Sequence, residues 1–271
     1  MKYIDATTQK SLKQGVMKLL NLSASEMEQI FMSIYKDTKK QPWEWVKAFL
    51  SDYVVDETLE HIQMFHLSRR LNGTDIKANN NLEQLLIKDS PLSEFFKKHK
   101  IIFRPNEGHI DLYYKGKLQP LEDKFRYSGG NIYYLRSRLG YNKIQDYCVN
   151  GFAFRSHLEK NHYFPLLSYC PELVGNIEKF LGIHGMSTDY YNNSKYYCIE
   201  YLIPLTDVIF DIGYPPETAN EKTIEFLQQA ILRLYDEWIE SSFVGDDNLI
   251  LRLSDDACIR PEWFVKAEEL K

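Results

Sequence analysis

Along the first fifty residues the apolar positions recur at three- and four-residue intervals, the spacing of one face of an α-helix. Leu12, Val16, Leu19 and Leu20 make the first such stripe. Ser23-Ala24-Ser25-Glu26 reads as a cap with an acid in the first turn. It opens a second stripe of Met27, Ile30, Phe31, Ile34 and Tyr35. After a polar break over 36–41, Pro42 suits the first turn of a third helix carrying Trp43, Val46, Phe49 and Leu50. This pattern predicts a helical N-terminal segment over 1–57, with its Trp and Phe in the core.

Beyond residue 57 the texture changes to short strand-like runs. A strand is expected over 62–67, then a helix capped by Asn79-Asn80-Asn81 and another opened by Ser90-Pro91. Runs at 100–103 and 109–114 predict a hairpin turning at Asn106-Glu107-Gly108. Ser128-Gly129-Gly130-Asn131 reads as a loop, and 147–154 as a compact strand. An apolar run follows at 163–169, and Pro171 begins a helix through Leu173, Ile177, Phe180 and Leu181. The run 196–203 reads as a strand continuing past Pro204 to Phe210. Residues 58–214 are thus expected to form one α+β domain. A helical extension is expected over 215–271, comprising an amphipathic helix at 219–241, a short strand at 248–253 and a last helix at 260–270.

Two of these strands carry chemistry. Strand side chains alternate between faces, so His66 and Ser68 share one side while Phe65 and Leu67 take the other. In the later strand Cys198, Glu200 and Leu202 share a face. A carboxylate in the middle of a half-buried strand must find partners or line a cleft, because burying it alone is costly. Glu200 therefore either belongs to a site or is salt-bridged to Arg69 or Arg70.

Composition narrows the classes. The net charge of −5 provides no global basic field for nucleic acid, leaving only a local cluster of Arg126, Arg136 and Arg138. Four widely spaced cysteines with no Cys-x-x-Cys pair fit free thiols in a reducing cytoplasm. The same spacing, with His61 and His66 five apart, assigns no metal. No apolar stretch approaches the ~20 residues that span a bilayer, and the first residues lack a secretory apolar core, so a cytoplasmic protein is expected. Asp111, Asp146 and Glu172 show no metal or acid–base spacing and are expected to be solvated.

The order of the runs resembles a known family. His66-Leu67-Ser68-Arg69 is followed by Asn81-Leu82-Glu83-Gln84-Leu85-Leu86, Tyr147 to Phe154, Phe164 to Tyr169, and Cys198-Ile199-Glu200-Tyr201-Leu202-Ile203-Pro204. This is similar to bacterial ADP-ribosyltransferase-fold domains whose first strand reads His-Phe-Thr, among them toxin and phage-defence types. The Glu200 run resembles the Glu-x-Leu-Val-Pro segment of members that modify DNA bases. The resemblance spans residues 60–212 and implies a split, curved mixed β-sheet, with helical N- and C-terminal extensions, that binds NAD as a substrate. It implies that His66 and Ser68 hold the nicotinamide ribose, that Arg69 meets the pyrophosphate and that Tyr147 stacks on nicotinamide. Glu200 would stabilise the oxocarbenium-like charge as nicotinamide leaves, with His66 beside it in the catalytic set.

Departures qualify the acceptor. Leu67 replaces the middle aromatic, Tyr127, Tyr133 and Tyr134 compete with Tyr147 for its role, and Cys198 stands where an Arg-directed enzyme carries Gln or Glu. This argues against Arg-directed protein modification and leaves the acceptor open to nucleic acid, a small molecule or another protein group. A rival expectation is a non-catalytic binding module, an antitoxin or inhibitor docking a protein through its terminal helices. A third is nucleic-acid binding through the arginine cluster and its tyrosines.

Overall fold

Three capped helices open the chain: α1 (Gln9–Leu19), α2 (Ala24–Lys36) and α3 (Pro42–Asp52). Thr8 accepts the Ser11 N–H and Ser23 the Glu26 N–H, each in a reciprocal capping box. The computed structural model describes residues 2–53, 57–77, 79–121, 131–142 and 146–271, without the side chain of residue 131. The loop Ser128-Gly129-Gly130, Arg126, Tyr127 and residues 54–56 at the expected first boundary lie outside the described residues.

The remaining elements are β1 (His61–Leu71), α4 (Leu82–Ile87), α5 (Pro91–Lys98), β2 (Ile101–Asn106), β3 (His109–Tyr114), β4 (Lys117–Leu118), α6 (Asn131–Arg138) and β5 (Asn150–Phe152). After them come α7 (Tyr163–Tyr169), α8 (Glu172–Leu181), α9 (Met186–Asn192), β6 (Ser194–Pro204), β7 (Ile209–Phe210), α10 (Ala219–Trp238), β8 (Ile250–Arg252) and β9 (Phe264–Leu270). Strand order is β7-β8-β5-β1-β6-β9 in one sheet and β2-β3-β4 in the other. The chain is therefore mixed helix and strand, and each strand pair whose register is given is antiparallel. Among the described residues no helix is long and apolar enough to cross a membrane.

Two compact units divide these elements. The first comprises Met1–Phe65, Gly151–Phe164 and Glu200–Arg252; the second comprises His66–Asn150, Pro165–Ile199 and Leu253–Lys271. This discontinuous division does not follow the boundaries expected at 57 and 214, because β1 and β6 each contribute one half to each unit. The first unit buries Val16, Leu20, Met27, Phe31, Phe226, Leu227 and Ile231, and the Phe31 ring lies 5.9 Å from that of Trp238. The second buries Phe96, Ile101, Ile110, Leu112, Leu135, Leu139, Val174, Ile177 and Met186 in one cluster.

Several expectations are corrected. Residues 264–270 form strand β9 and not a helix. Lys266-Ala267-Glu268-Glu269-Leu270 is rich in helix formers, but propensities differ by fractions of a kcal/mol per residue. Pairing with β6 outweighs them. The 147–154 strand shrinks to β5, because the Asp255 carboxylate takes the N–H groups of Tyr147 and Cys148 at 2.7 and 3.0 Å. The 196–210 run is two strands on different sides of the sheet, separated by a 3-10 turn at Leu205–Asp207. Trp43 is 51% exposed, while Val46 and Leu50 on the same stripe are buried. Spacing sets the direction of a side chain but not how far its neighbours extend. Helix α9, which has no long apolar stripe, was not foreseen.

Candidate functional site

A cavity of about 230 Å³ opens in the second unit along the C-terminal half of β1. His66, Ser68, Arg69 and Arg70 line it on one side. Asn79 and Asn80, before α4, and Cys148 to Asn150, leading into β5, also contribute to its wall. Leu82, Leu85, Leu92, Leu173 and Val174 supply apolar walls, so a few polar groups converge in a largely hydrophobic recess.

The polar groups are ordered by their local structure. Asn81 caps α4 by accepting the Gln84 N–H at 2.9 Å, and its amide donates to the Asp255 carbonyl at 2.8 Å. Ile259 donates to the Asn79 carbonyl at 2.8 Å. These bonds hold Asn79 where its side chain spans two cavity groups. Arg70 Nη1 donates to Asn79 Oδ1 at 2.9 Å, and Asn79 Nδ2 lies 3.3 Å from His66 Nε2. His66 Nδ1 lies 2.6 Å from the Asn150 carbonyl, which can only accept. His66 is therefore the neutral Nδ1–H tautomer, and its Nε2 accepts from Asn79. Burial first, and then the Arg70 charge, push its pKa down to about 3. Beside it, the Ser68 hydroxyl faces the cavity with no hydrogen-bond partner among the described residues.

Arg69 has other work. Its Nε donates to Ser194 Oγ at 2.8 Å, Nη1 to the Ser168 carbonyl at 2.6 Å, and Nη2 to the Tyr191 and Ser194 carbonyls at 3.0 Å. The guanidinium also lies 4.1 Å over the Tyr191 ring. It ties β1 to the segments around it, and a pyrophosphate would have to compete for its donors. Arg138, at the cavity wall, pairs with Asp146 at 3.1 Å and faces Glu172 at 3.7 Å.

Tyr147 does not line the cavity. It is 3% exposed and belongs to the second unit's hydrophobic cluster, with its hydroxyl against Gly140. Burial, with Glu83 and Asp255 nearby, pushes its phenol up to about 12. Glu200 lies in the first unit and is 5% exposed. It accepts from Gln63 Nε2 at 2.7 Å, and Gln63 Oε1 accepts the Ala6 N–H at 2.6 Å. This pair orients the carboxylate from the N-terminal segment. The cavity thus holds His66, Ser68 and Arg69 of the expected site residues, and its lining includes neither Tyr147 nor Glu200.

Sequence reading missed Arg70, Asn79 and Asn150. A run of three asparagines, when a helix cap needs only one, was the available signal. One other expectation fails. Asp111 is not solvated: it is 8% exposed and accepts from Asn106 at 3.2 Å and from Tyr141 at 3.0 Å, with His109 Nε2 at 3.2 Å. Of the arginine cluster, Arg136 is buried and donates to the Leu121 carbonyl and Arg138 is ion-paired, while Arg126 lies outside the described residues. Among the described residues no group of three or more His, Cys, Asp and Glu side chains is placed to hold a metal ion.

Comparison of the chain with protein-family models, curated proteins and solved structures yields no match.

Proposed function

We propose that the chain is an NAD-dependent ADP-ribosyltransferase-like enzyme of the toxin or phage-defence type, with the second unit's cavity receiving the nicotinamide–ribose end of NAD. The observation that carries the reading is the cavity wall itself. His66 is held neutral and in one tautomer, next to a Ser68 hydroxyl that is free to bond a ligand. A volume of about 230 Å³ is below the ~300–1,000 Å³ typical of drug-sized ligands, so it suits one ring and its sugar rather than a whole dinucleotide. In the proposed reaction the bond between nicotinamide nitrogen and ribose breaks, and nicotinamide leaves with the electron pair. An acceptor nucleophile then bonds the ribose carbon and gives up its proton. The resemblance, and not the cavity lining, gives Glu200 the role of stabilising the developing positive charge. The split ADP-ribosyltransferase sheet, the cytoplasmic location and the acceptor, nucleic acid or protein, belong to this reading.

A second reading, a non-catalytic protein-binding module, draws on different observations. Arg69 is occupied by carbonyls, Tyr147 is in a core, and Glu200 is held by Gln63. In that case the residues serve the fold.

Nicotinamide release and thermal shift with NAD separate the two. The enzyme reading expects NAD to raise Tm for wild type, less so for Ser68→Ala, and release to vanish in folded Glu200→Gln. No shift and no release by wild type, with candidate acceptors present, would sink it in favour of the binding module.

A further inference from the structure

The whole chain has a net charge of −5, yet the stretch from Lys98 to Lys117 reverses that balance. Lys98, Lys100, Arg104, Lys115 and Lys117 stand there against two carboxylates, Glu107 and Asp111. All five cations are exposed, and among the described residues none of them forms an ion pair. The neighbouring acids are spent or distant. Asp89 and Glu94 pair with Lys97, Asp189 meets the His99 ring at 2.9 Å, and Asp111 is buried with bonds from Asn106 and Tyr141. Glu107 lies in the β2–β3 turn, roughly 15–20 Å of strand from the lysines.

The four lysines meet at one end of the β2-β3-β4 sheet. The β3–β4 hairpin turns through Lys115 and Gly116, both at positive φ, and Lys117 pairs with Tyr114 beyond it. The Lys115 N–H donates to the Lys100 carbonyl at 2.9 Å, which sets the α5–β2 turn, with Lys98 and Lys100, against that hairpin. Lys100 also has positive φ, so two lysines hold a backbone conformation that Gly takes at lower cost. The sheet's outward face continues from this end. Ile102, Tyr113 and Leu118 form one row across the three strands, with Ile102 42% and Leu118 46% exposed. Arg104, two residues further along β2 on the same face, sets its guanidinium 4.8 Å over the Tyr113 ring.

We propose that this end and face of the β2-β3-β4 sheet bind single-stranded nucleic acid, the lysines meeting phosphates and the Arg104–Tyr113 pair receiving a stacked base. Cations gathered in one place on an acidic chain give a polyanion a defined place to bind. Bases stack on aromatic rings and on guanidinium planes, and a row of apolar groups in the middle of a sheet reaches bases only when they are unpaired. An anionic bilayer is a poorer match. The apolar row lies mid-sheet, while the hairpin tips, Glu107-Gly108 and Lys115-Gly116, are polar and offer nothing to insert. None of these residues lines the cavity, so the inference goes beyond the enzyme reading and stands without it.

The test is fluorescence anisotropy of a labelled oligothymidylate of about sixteen nucleotides with the full chain, in the absence of NAD, as salt is raised. Wild type should bind at low ionic strength. Its affinity should fall with a log–log slope of about −3, since each lysine–phosphate contact contributes about −0.7. Lys98→Glu combined with Lys117→Glu should weaken binding at least about ten-fold and make the slope shallower by about 1.4. Lys10→Glu combined with Lys18→Glu makes the same change of net charge on exposed positions of α1 and should bind like wild type. Arg104→Lys keeps the charge and loses the planar guanidinium, so it should weaken binding several-fold with the salt slope unchanged. All the altered side chains are exposed, and circular dichroism checks that each variant is folded. Absence of wild-type binding at low salt, a Lys98 and Lys117 double variant that binds like wild type, or an equal loss in the α1 control would each overturn the proposal. Tighter binding to duplex DNA, to phosphatidylserine vesicles or to polyglutamate than to the oligonucleotide would overturn it as well.

Discussion

His66 gives this fold a defined acid sensitivity. Its folded pKa of about 3 lies below the unfolded value of 6.5, so between these limits the unfolded chain binds a proton that the folded chain refuses. Stability therefore rises with pH across that window: the contribution is fully present above about 6.5 and is lost as the pH falls toward 3. Between about pH 7.5 and about pH 5 the loss from this one group is about 2 kcal/mol, since each pKa unit corresponds to about 1.4 kcal/mol. For a chain of this size that is roughly 4–8 °C in Tm. Other groups titrate over the same range, so the useful quantity is a difference. His66→Asn keeps a donor toward the Asn150 carbonyl and removes the titration. It should lose about 2 kcal/mol less than wild type on acidification, whatever its stability at neutral pH. Chemical denaturation of both proteins at the two pH values measures this directly. Parallel losses in the two proteins would refute the neutral, Asn79-bonded histidine. A protonated ring in nitrogen-resolved NMR at pH 5 would refute it independently.

Two further outcomes follow from the walls of the second unit. Asp255→Ala removes a carboxylate that accepts from two backbone N–H groups and should cost about 2–3 kcal/mol, with faster hydrogen exchange at Tyr147 and Cys148. Unchanged exchange at those two amides would count against the assignment. Gly140 has φ +78, and a Cβ there would meet the Tyr147 hydroxyl and lie 2.9 Å from the Gly108 carbonyl. Gly140→Ala should therefore destabilise by about 2 kcal/mol or more, and a Tm equal to wild type would show that the turn relaxes freely.

Much of the local structure was legible in the sequence. The N-terminal helices, the asparagine cap before α4, the Ser90-Pro91 start of α5 and the β2–β3 hairpin all rest on short-range signals of spacing, caps and turn residues. Alternation also placed His66 and Ser68 together on β1 and marked Glu200 as a buried carboxylate needing a partner. The sequence did not show which partner it would have. Gln63 is 137 residues from Glu200, and Asn79 meets His66 only through the bonds that fix the loop before α4.

The chain by itself determined where most helices begin and which strand positions carry polar groups, because caps and periodicity act over a few residues. Only the tertiary structure decided that Arg69 is spent on carbonyls, that Tyr147 is core and that 264–270 is a strand. The physical reason is the same in each case. A guanidinium, a phenol and a run of helix formers each have several acceptable environments of similar energy, and long-range hydrogen bonds and packing choose among them.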